Sequence, residues 1–216
     1  MPSERDCLAM VERIENSLVV LHSSRAFYRE YQEILRGNHR LPPPNHFLVW
    51  IADNYLYSAA MSLRRLLDGR NDTISIYKLL DALRRNPQLL TKESYIARFT
   101  TDGTDRDMAE EAFAMLTGTP QARGLNLDEL RSQLNISNEN WQRLKRYIDQ
   151  RIAHEARNPD RTIPTVTDLD RCIDNCAEVM RKIICFMTCR NILSFEPVMQ
   201  YPWREVFSFP WIEPPG

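Results

Sequence analysis

Apolar residues recur every three or four positions over most of the chain, the spacing that places them on one face of an α-helix. The first such pattern predicts a helix over residues 3–36, which Gly37 and the three prolines at 42–44 end. The chain has only six glycines, a low number for a turn-rich β architecture. Pattern and composition together predict an all-α fold, a helical bundle.

The second predicted helix covers residues 47–68, and Asn45 fits its N-cap. Its apolar residues fall on nearly every side, which is typical of a helix at the centre of a bundle. Asp53 and Asn54 interrupt this pattern. Because buried polar groups need partners, two interpretations of them stay open: a structural hydrogen-bond network or a functional cleft.

Further helices are predicted along the rest of the chain, although the signals weaken between residues 88 and 124. Shorter helices are expected at residues 76–83, 108–116 and 127–134. A clearer helix runs from about residue 138 to 155. Thr167 and Asp170, three residues apart, resemble a capping arrangement that opens a last long helix.

The composition changes after Ser194. Five prolines there exclude a long helix, and six aromatic residues supply apolar surface. We therefore predict a helical bundle domain over residues 1–193 and an extended, aromatic and proline-rich C-terminal tail over residues 194–216. Such a tail packs on the helical body or binds a partner chain, and the sequence leaves both open.

Charge and hydropathy narrow the classes of function. The formal net charge is -1, so a site for a polyanion must be a local patch. No apolar stretch reaches the roughly 18 residues of a membrane-spanning helix. The N-terminus lacks the basic start and apolar centre of a secretion signal. We expect a cytoplasmic protein without a membrane contact.

Cysteine spacing offers two interpretations. The five cysteines are an odd number, which argues against a disulfide framework in a cytoplasmic chain. On one helix, the pair Cys172 and Cys176 faces away from the pair Cys185 and Cys189, so the four thiolates cannot close on one metal ion. Buried core thiols are favoured over a metal or redox role, and we expect neither a metal nor another cofactor.

The residues that can carry chemistry lie between 141 and 157. On a helical wheel, an apolar stripe is formed by Trp141, Leu144, Ile148 and Ile152. A neighbouring stripe, within roughly 80° on an ideal α-helix, carries Arg143, Tyr147, Arg151 and His154. Residues 143–161 hold six basic and three acidic side chains, which makes a local basic patch.

Two short motifs resemble a known family. The segment Arg151-Ile-Ala-His154, on a helix before a proline-bearing loop, is similar to the active-site region of the HEPN superfamily of helical RNases and nucleotide-binding domains. The segment Ser62-Leu-Arg-Arg-Leu-Leu-Asp68, followed by the serine-led stretch 75–80, resembles the abortive-infection (AbiU-type) branch. The likeness covers roughly residues 47–192 and leaves the aromatic tail unmatched.

The resemblance implies a homodimer in which two histidine-bearing helices meet in one cleft, and an endoribonuclease that needs no metal. His154 would act as general acid or base around the ribose 2'-hydroxyl. A nearby arginine would stabilise charge on the phosphate, and Tyr147 would support the pair. The basic residues Arg143, Arg146 and Arg157 would bind the RNA backbone.

The sequence departs from the family pattern at one place. The family arginine precedes the histidine by four to six intervening residues, and the corresponding positions hold Tyr147, Ile148 and Asp149. Two alternatives stay open: Arg151 replaces the missing arginine, or the site is degenerate.

Simpler roles compete with catalysis. His154 can cap the carbonyls at a helix C-terminus, and Arg65 can form an ion pair with Asp68 at the end of its helix. Two functions therefore remain. One is an endoribonuclease of the prokaryotic defence or toxin type, which an antitoxin or another partner protein would neutralise. The other is a catalytically inert helical module that binds RNA, a nucleotide or a partner protein.

Overall fold

The computed structural model describes residues 2–38, 45–70, 72–101, 103–136, 138–152, 164–198 and 200–208. These ranges contain eight α-helices and no β-sheet, with a single bridge between Thr91 and Gly124. The helices are α1 (Glu4–Gly37), α2 (His46–Leu66), α3 (Ile76–Arg84), α4 (Lys92–Phe99), α5 (Arg106–Thr117), α6 (Leu127–Ile136), α7 (Asn138–Tyr147) and α8 (Val166–Thr188). A π-helical turn, Ile148–Ile152, continues α7, and 3-10 turns lie at Pro87–Leu90 and Trp203–Phe207. The predicted all-α class is confirmed.

Side-chain caps fix where the long helices begin. Ser3 and Asp6 form a capping box at the start of α1. Asn45 accepts a hydrogen bond from the Phe47 amide and caps α2, as predicted. The box of α8 consists of Thr165 and Asp168 rather than the expected Thr167 and Asp170, so this helix begins two residues earlier. Each cap satisfies amides that the helix itself leaves unpaired.

The centre of the bundle is α8, not α2. Twelve residues of α8 are buried, and the helix packs against α1, α2, α6 and α7. In contrast, α2 buries only the side that carries Tyr55, Ala59 and Leu63. Its apolar residues on other sides, including Trp50, are exposed. The expectation that α2 is central was wrong, because an aromatic second face resembles a buried one in sequence.

The cysteines lie in or beside this core. Cys7, Cys172 and Cys176 are buried and Cys185 and Cys189 are half-buried, all as free thiols. Burial raises the pKa of the Cys172 thiol to about 12, so it stays protonated and unreactive at neutral pH. Among the described residues, no group of His, Cys, Asp and Glu has the geometry of a metal site. Within the same ranges, every helix is too short or too polar to cross a bilayer.

The C-terminal segment, residues 190–207, follows α1 in the same direction and makes an ordered series of ion pairs with it. Arg190 pairs with Glu15 at 2.7 Å, Glu196 with Arg25 at 3.7 Å and Arg204 with Glu30 at 2.8 Å. Apolar contacts add to these pairs, since Phe195 is buried and the Trp203 ring meets Phe27 edge-on at 5.0 Å. Residues 209–216 lie outside the described ranges.

Arg25 is the buried centre of this contact. Its side chain is only 5% exposed, and its guanidinium lies 2.6 Å from the Asp174 carboxylate of α8. The same guanidinium donates to Nδ1 of His22 at 3.1 Å. Burial, together with the positive charge of Arg25, lowers the pKa of His22 from 6.5 to about 4. The imidazole is therefore neutral in the folded chain and accepts from Arg25.

We expect the protein to lose stability in mild acid because of His22. The unfolded chain takes up a proton near pH 6.5, whereas the folded chain resists protonation until pH falls to about 4. The contribution of His22 to the free energy of unfolding is complete above the unfolded pKa of 6.5 and declines as the pH falls below it. The loss reaches about 2 kcal/mol by about pH 5. Urea unfolding at neutral and acidic pH measures the loss. His22→Gln should be less sensitive to pH, and an identical pH dependence would assign the loss to other groups.

Candidate functional site

The segment from α7 through the π-helical turn is anchored by apolar side chains that face α8 and α2. Trp141, Leu144 and Ile148 are 5%, 3% and 0% exposed. They are three members of the predicted apolar stripe, which the structure confirms at these positions. The side chain of the fourth, Ile152, lies outside the described residues.

The helix does not stay regular through this segment. Residues Ile148–Ile152 adopt a π-helical turn, in which hydrogen bonds span five residues instead of four. Each residue of such a turn therefore advances by less than the roughly 100° of an α-helix. The predicted alignment of Arg143, Tyr147, Arg151 and His154 assumed a regular α-helix, so it does not describe the position of Arg151. Turns of this kind occur often at functional sites.

Tyr147 is the centre of a polar cluster between the α7 end and α2. Its half-buried side chain is hydrogen-bonded to Tyr57, and its hydroxyl interacts electrostatically with the charges of Arg151 and Asp53. Burial and the neighbouring Tyr57 raise the pKa of Tyr147, whereas Arg151 opposes that shift. Tyr147 is therefore a neutral hydrogen-bond donor at physiological pH. A phenol within electrostatic range of an exposed guanidinium is a chemistry that can bind an anion such as a phosphate.

Asp149 ties the π-helical turn to α2. Its carboxylate lies 2.8 Å from the Arg64 guanidinium of α2 and 3.0 Å from the Lys145 ammonium one turn earlier. These ion pairs hold the backbone on both sides of Tyr147. The Asp149 carboxylate is therefore engaged in structural ion pairs and is not free.

The three arginines predicted to bind RNA differ in their surroundings. Arg143 lies 3.5 Å from the carboxylate of Asp168, which is almost fully buried. Hydrogen bonds from Thr165 in the capping box, together with the charge of Arg143, lower the pKa of Asp168. Arg146 is exposed, and its Nε donates to the Gln142 carbonyl at 3.3 Å. Arg157 lies outside the described residues.

His154 also lies outside the described residues. The structure thus places Arg151 within electrostatic range of Tyr147 but does not test whether His154 joins them. Arg151 is exposed and is three positions before the histidine. The assignments of His154, Arg151 and Tyr147 as catalytic residues remain predictions.

Two residues of α2 belong to this cluster and were not predicted as site residues. Tyr57 is hydrogen-bonded to Tyr147, and the charge of Asp53 acts on the Tyr147 hydroxyl. Asp53 and Asn54 are both exposed, so the expectation that they are buried was wrong. Instead, Asn54 donates to the Trp50 carbonyl of its own helix at 2.7 Å. The spacing of Asp53, Tyr57 and Arg64, by four and seven residues, places them on one helical face. That spacing is the sequence signal from which these site residues could have been predicted.

The second motif joins α2 to α3. Asp68 pairs with Arg70 at 2.9 Å, not with the expected Arg65. The Ser75 hydroxyl donates to the Asp68 carbonyl and accepts from the Lys78 amide, which caps α3. In the structure this motif forms a helix connection, and only its Arg64 reaches the Tyr147 cluster among the described contacts, through Asp149.

Comparison with known proteins identifies the family. No curated protein and no solved structure matches the chain significantly. The family model AbiU2, of HEPN type, matches residues 6–187, which is more than half of the 216 residues. This match extends beyond the two motifs and includes α1, the weakly patterned centre and most of α8. The chain therefore belongs to the AbiU2 family of abortive-infection HEPN proteins.

Proposed function

We propose that this protein is a metal-independent endoribonuclease of the prokaryotic defence type that works as a homodimer. His154 acts as general acid or base at the ribose 2'-hydroxyl, and Arg151 stabilises the charge on the scissile phosphate. Tyr147 donates a hydrogen bond to the same phosphate. The observation that carries the proposal is the exposed Arg151, three residues before His154, whose charge acts on the Tyr147 hydroxyl in a chain of the AbiU2 family.

The π-helical turn supports Arg151 as the replacement for the family arginine. Position 148, where the family arginine aligns, holds an isoleucine that is 0% exposed. The turn keeps this side chain in the core while Arg151 is exposed, with its charge acting on the Tyr147 hydroxyl. A guanidinium at this place would supply the same charge from three residues further along the chain.

The remaining parts of the proposal concern the partners. Arg146 and Arg157 would bind flanking phosphates, which positions the strand without reading its sequence. Arg143 would contribute only by exchanging its Asp168 partner for a phosphate. A second copy of the chain would bring a second His154 into the cleft, and a partner protein of the antitoxin kind would cover it.

Cleavage of a labelled single-stranded RNA by the purified protein, with and without EDTA, tests the proposed function. We expect cleavage at the same rate in both conditions and none of the DNA of the same sequence, because the 2'-hydroxyl is the nucleophile. Products should end in a cyclic phosphate. No cleavage by folded protein, or cleavage that EDTA abolishes, contradicts the proposal.

Arg151→Gln should lower kcat by about a hundredfold, the size expected when a donor to a developing charge is lost. The fold should be unaffected, because Arg151 is exposed. Arg13→Gln, at an exposed arginine of α1, is the matched control and should leave kcat unchanged. An equal rate of cleavage for Arg151→Gln and wild type would show that Arg151 does not replace the family arginine.

Two observations favour a second candidate, an inert module that binds RNA, a nucleotide or a partner protein. Ile148 occupies the usual arginine position, and Arg143 is already paired with Asp168. Under this candidate the protein retains the labelled RNA in a fluorescence anisotropy titration but never cuts it. Binding without cleavage therefore separates the two functions.

A further inference from the structure

A large open cavity lies on the other side of α2 from the Tyr147 cluster. Its volume is about 770 Å³, and it is bounded by α1, α2 and the 3-10 turn Trp203–Phe207. This size falls within the range of roughly 300–1,000 Å³ that small-molecule sites occupy. Neither the proposed RNA cleavage nor the packing of the bundle requires an opening here.

Seven of the 16 described residues that line the cavity are aromatic. The ring pairs are Tyr28 stacked on Tyr55 at 4.0 Å and 10°, and Trp203 edge-on to Phe27 at 5.0 Å and 79°. Phe207 meets Trp203 edge-on at 5.9 Å. Rings in both orientations favour a flat aromatic guest, which gains stacking and edge contacts that a flexible alkyl chain lacks.

The chemistry of the wall also defines the charge of the guest. The described residues that line the cavity include no Asp, Glu, Lys, Arg or His. A carboxylate, phosphate or ammonium group would lose its hydration there without gaining a counter-ion. The polar groups are amides and hydroxyls, among them Asn54 and Ser58 of α2. The described part of the wall therefore favours an uncharged molecule.

The tyrosine hydroxyls of the wall are not available to a guest. Those of Tyr31 and Tyr55 make no hydrogen bond within the described part of the chain, but both oxygens are enclosed and do not reach the cavity surface. The polar groups that a guest meets are therefore the amides and the serine hydroxyls.

The wall formed by the C-terminal segment is held in place. Arg204 lies 2.8 Å from Glu30 and 3.6 Å from Glu33, both on α1. These pairs fix the turn that carries Trp203 and Phe207 against α1. The opening is thus bounded by attached elements on three sides.

We propose that this cavity is a binding site for an uncharged, flat aromatic or heteroaromatic small molecule. The site is separate from the Tyr147 cluster but shares α2 with it. Tyr55 and Ser58 face the cavity, whereas Tyr57 contacts Tyr147. The proposal does not depend on RNase activity.

Two dyes with the same ring system but different charge test the site in the full chain. N-phenylnaphthylamine is uncharged, and anilinonaphthalene sulfonate carries an added sulfonate. We expect the uncharged dye to become fluorescent on titration and to bind at least about tenfold more tightly than the sulfonate. Equal binding of both dyes, or no binding of the uncharged dye by folded protein, overturns the proposal.

A filling substitution locates the bound dye. Ser24→Trp places a large ring in the cavity and should weaken binding of N-phenylnaphthylamine by at least about tenfold. Ser23→Trp is the matched control, since both hydroxyls donate to the carbonyl four residues earlier, but Ser23 lies outside the cavity. Ser58→Trp fills it from α2 and serves if Ser24→Trp fails to fold. Wild-type affinity in a folded filling variant refutes the site.

Discussion

His154→Ala should lower the rate of RNA cleavage by about a thousandfold, within the range for loss of a general acid or base. An imidazole with an ordinary pKa near 6.5 exchanges protons readily at neutral pH, and alanine cannot. The fold should persist, as judged by circular dichroism and the melting temperature. His46→Ala, a histidine at the start of α2, is the control and should retain full activity.

Mixing subunits extends this test to the dimer. If two His154 side chains serve one cleft, an excess of the His154→Ala chain should suppress wild-type activity below the level of simple dilution. Activity that follows dilution alone argues for sites that are complete within one chain. Full activity of His154→Ala would end the nuclease proposal, whatever the oligomeric state.

Ile148→Arg should destabilise the protein by about 4 kcal/mol, although it recreates the family arginine. Ile148 is 0% exposed and packs with Leu144 and Trp141, so an arginine there would place an unpaired charge in the core. Urea unfolding measures the loss. Ile148→Leu keeps the volume and should cost less than about 1.5 kcal/mol.

A contrary result for Ile148→Arg would be informative about the site. A stable variant that cleaves RNA faster than wild type would mean that position 148 can turn toward the site. The role assigned to Arg151 would then be unnecessary.

Much of the helical architecture could be predicted from the sequence because apolar spacing and caps are local signals. Asn45 is an N-cap whose hydrogen bond lies within three residues, and the structure confirms it. Helix α4, Lys92–Phe99, has a short and weak pattern and was not predicted. Its position depends on Tyr95 packing against Phe113 and Phe186, which are distant in sequence.

The site was harder to predict than the fold. Trp141, Leu144 and Ile148 could be identified as one buried stripe because they follow α-helical spacing. The π-helical turn after Tyr147 has no such signal, since a change from four-residue to five-residue hydrogen bonds depends on tertiary packing. Asp53 and Tyr57 join Tyr147 from another helix, and a wheel drawn for one helix does not include them.

The ion pairs between α1 and the C-terminal segment alternate in sign. Along α1 the sequence is Glu15, Arg25, Glu30, and along the segment it is Arg190, Glu196, Arg204. If the segment slid along α1 by the five residues that separate Arg25 from Glu30, Glu196 would oppose Glu30 and Arg25 would lose its partner in the segment. Exposed pairs add little affinity, but repulsion between like charges excludes the shifted arrangement. The alternation of charge therefore favours a single register of the C-terminal segment along α1.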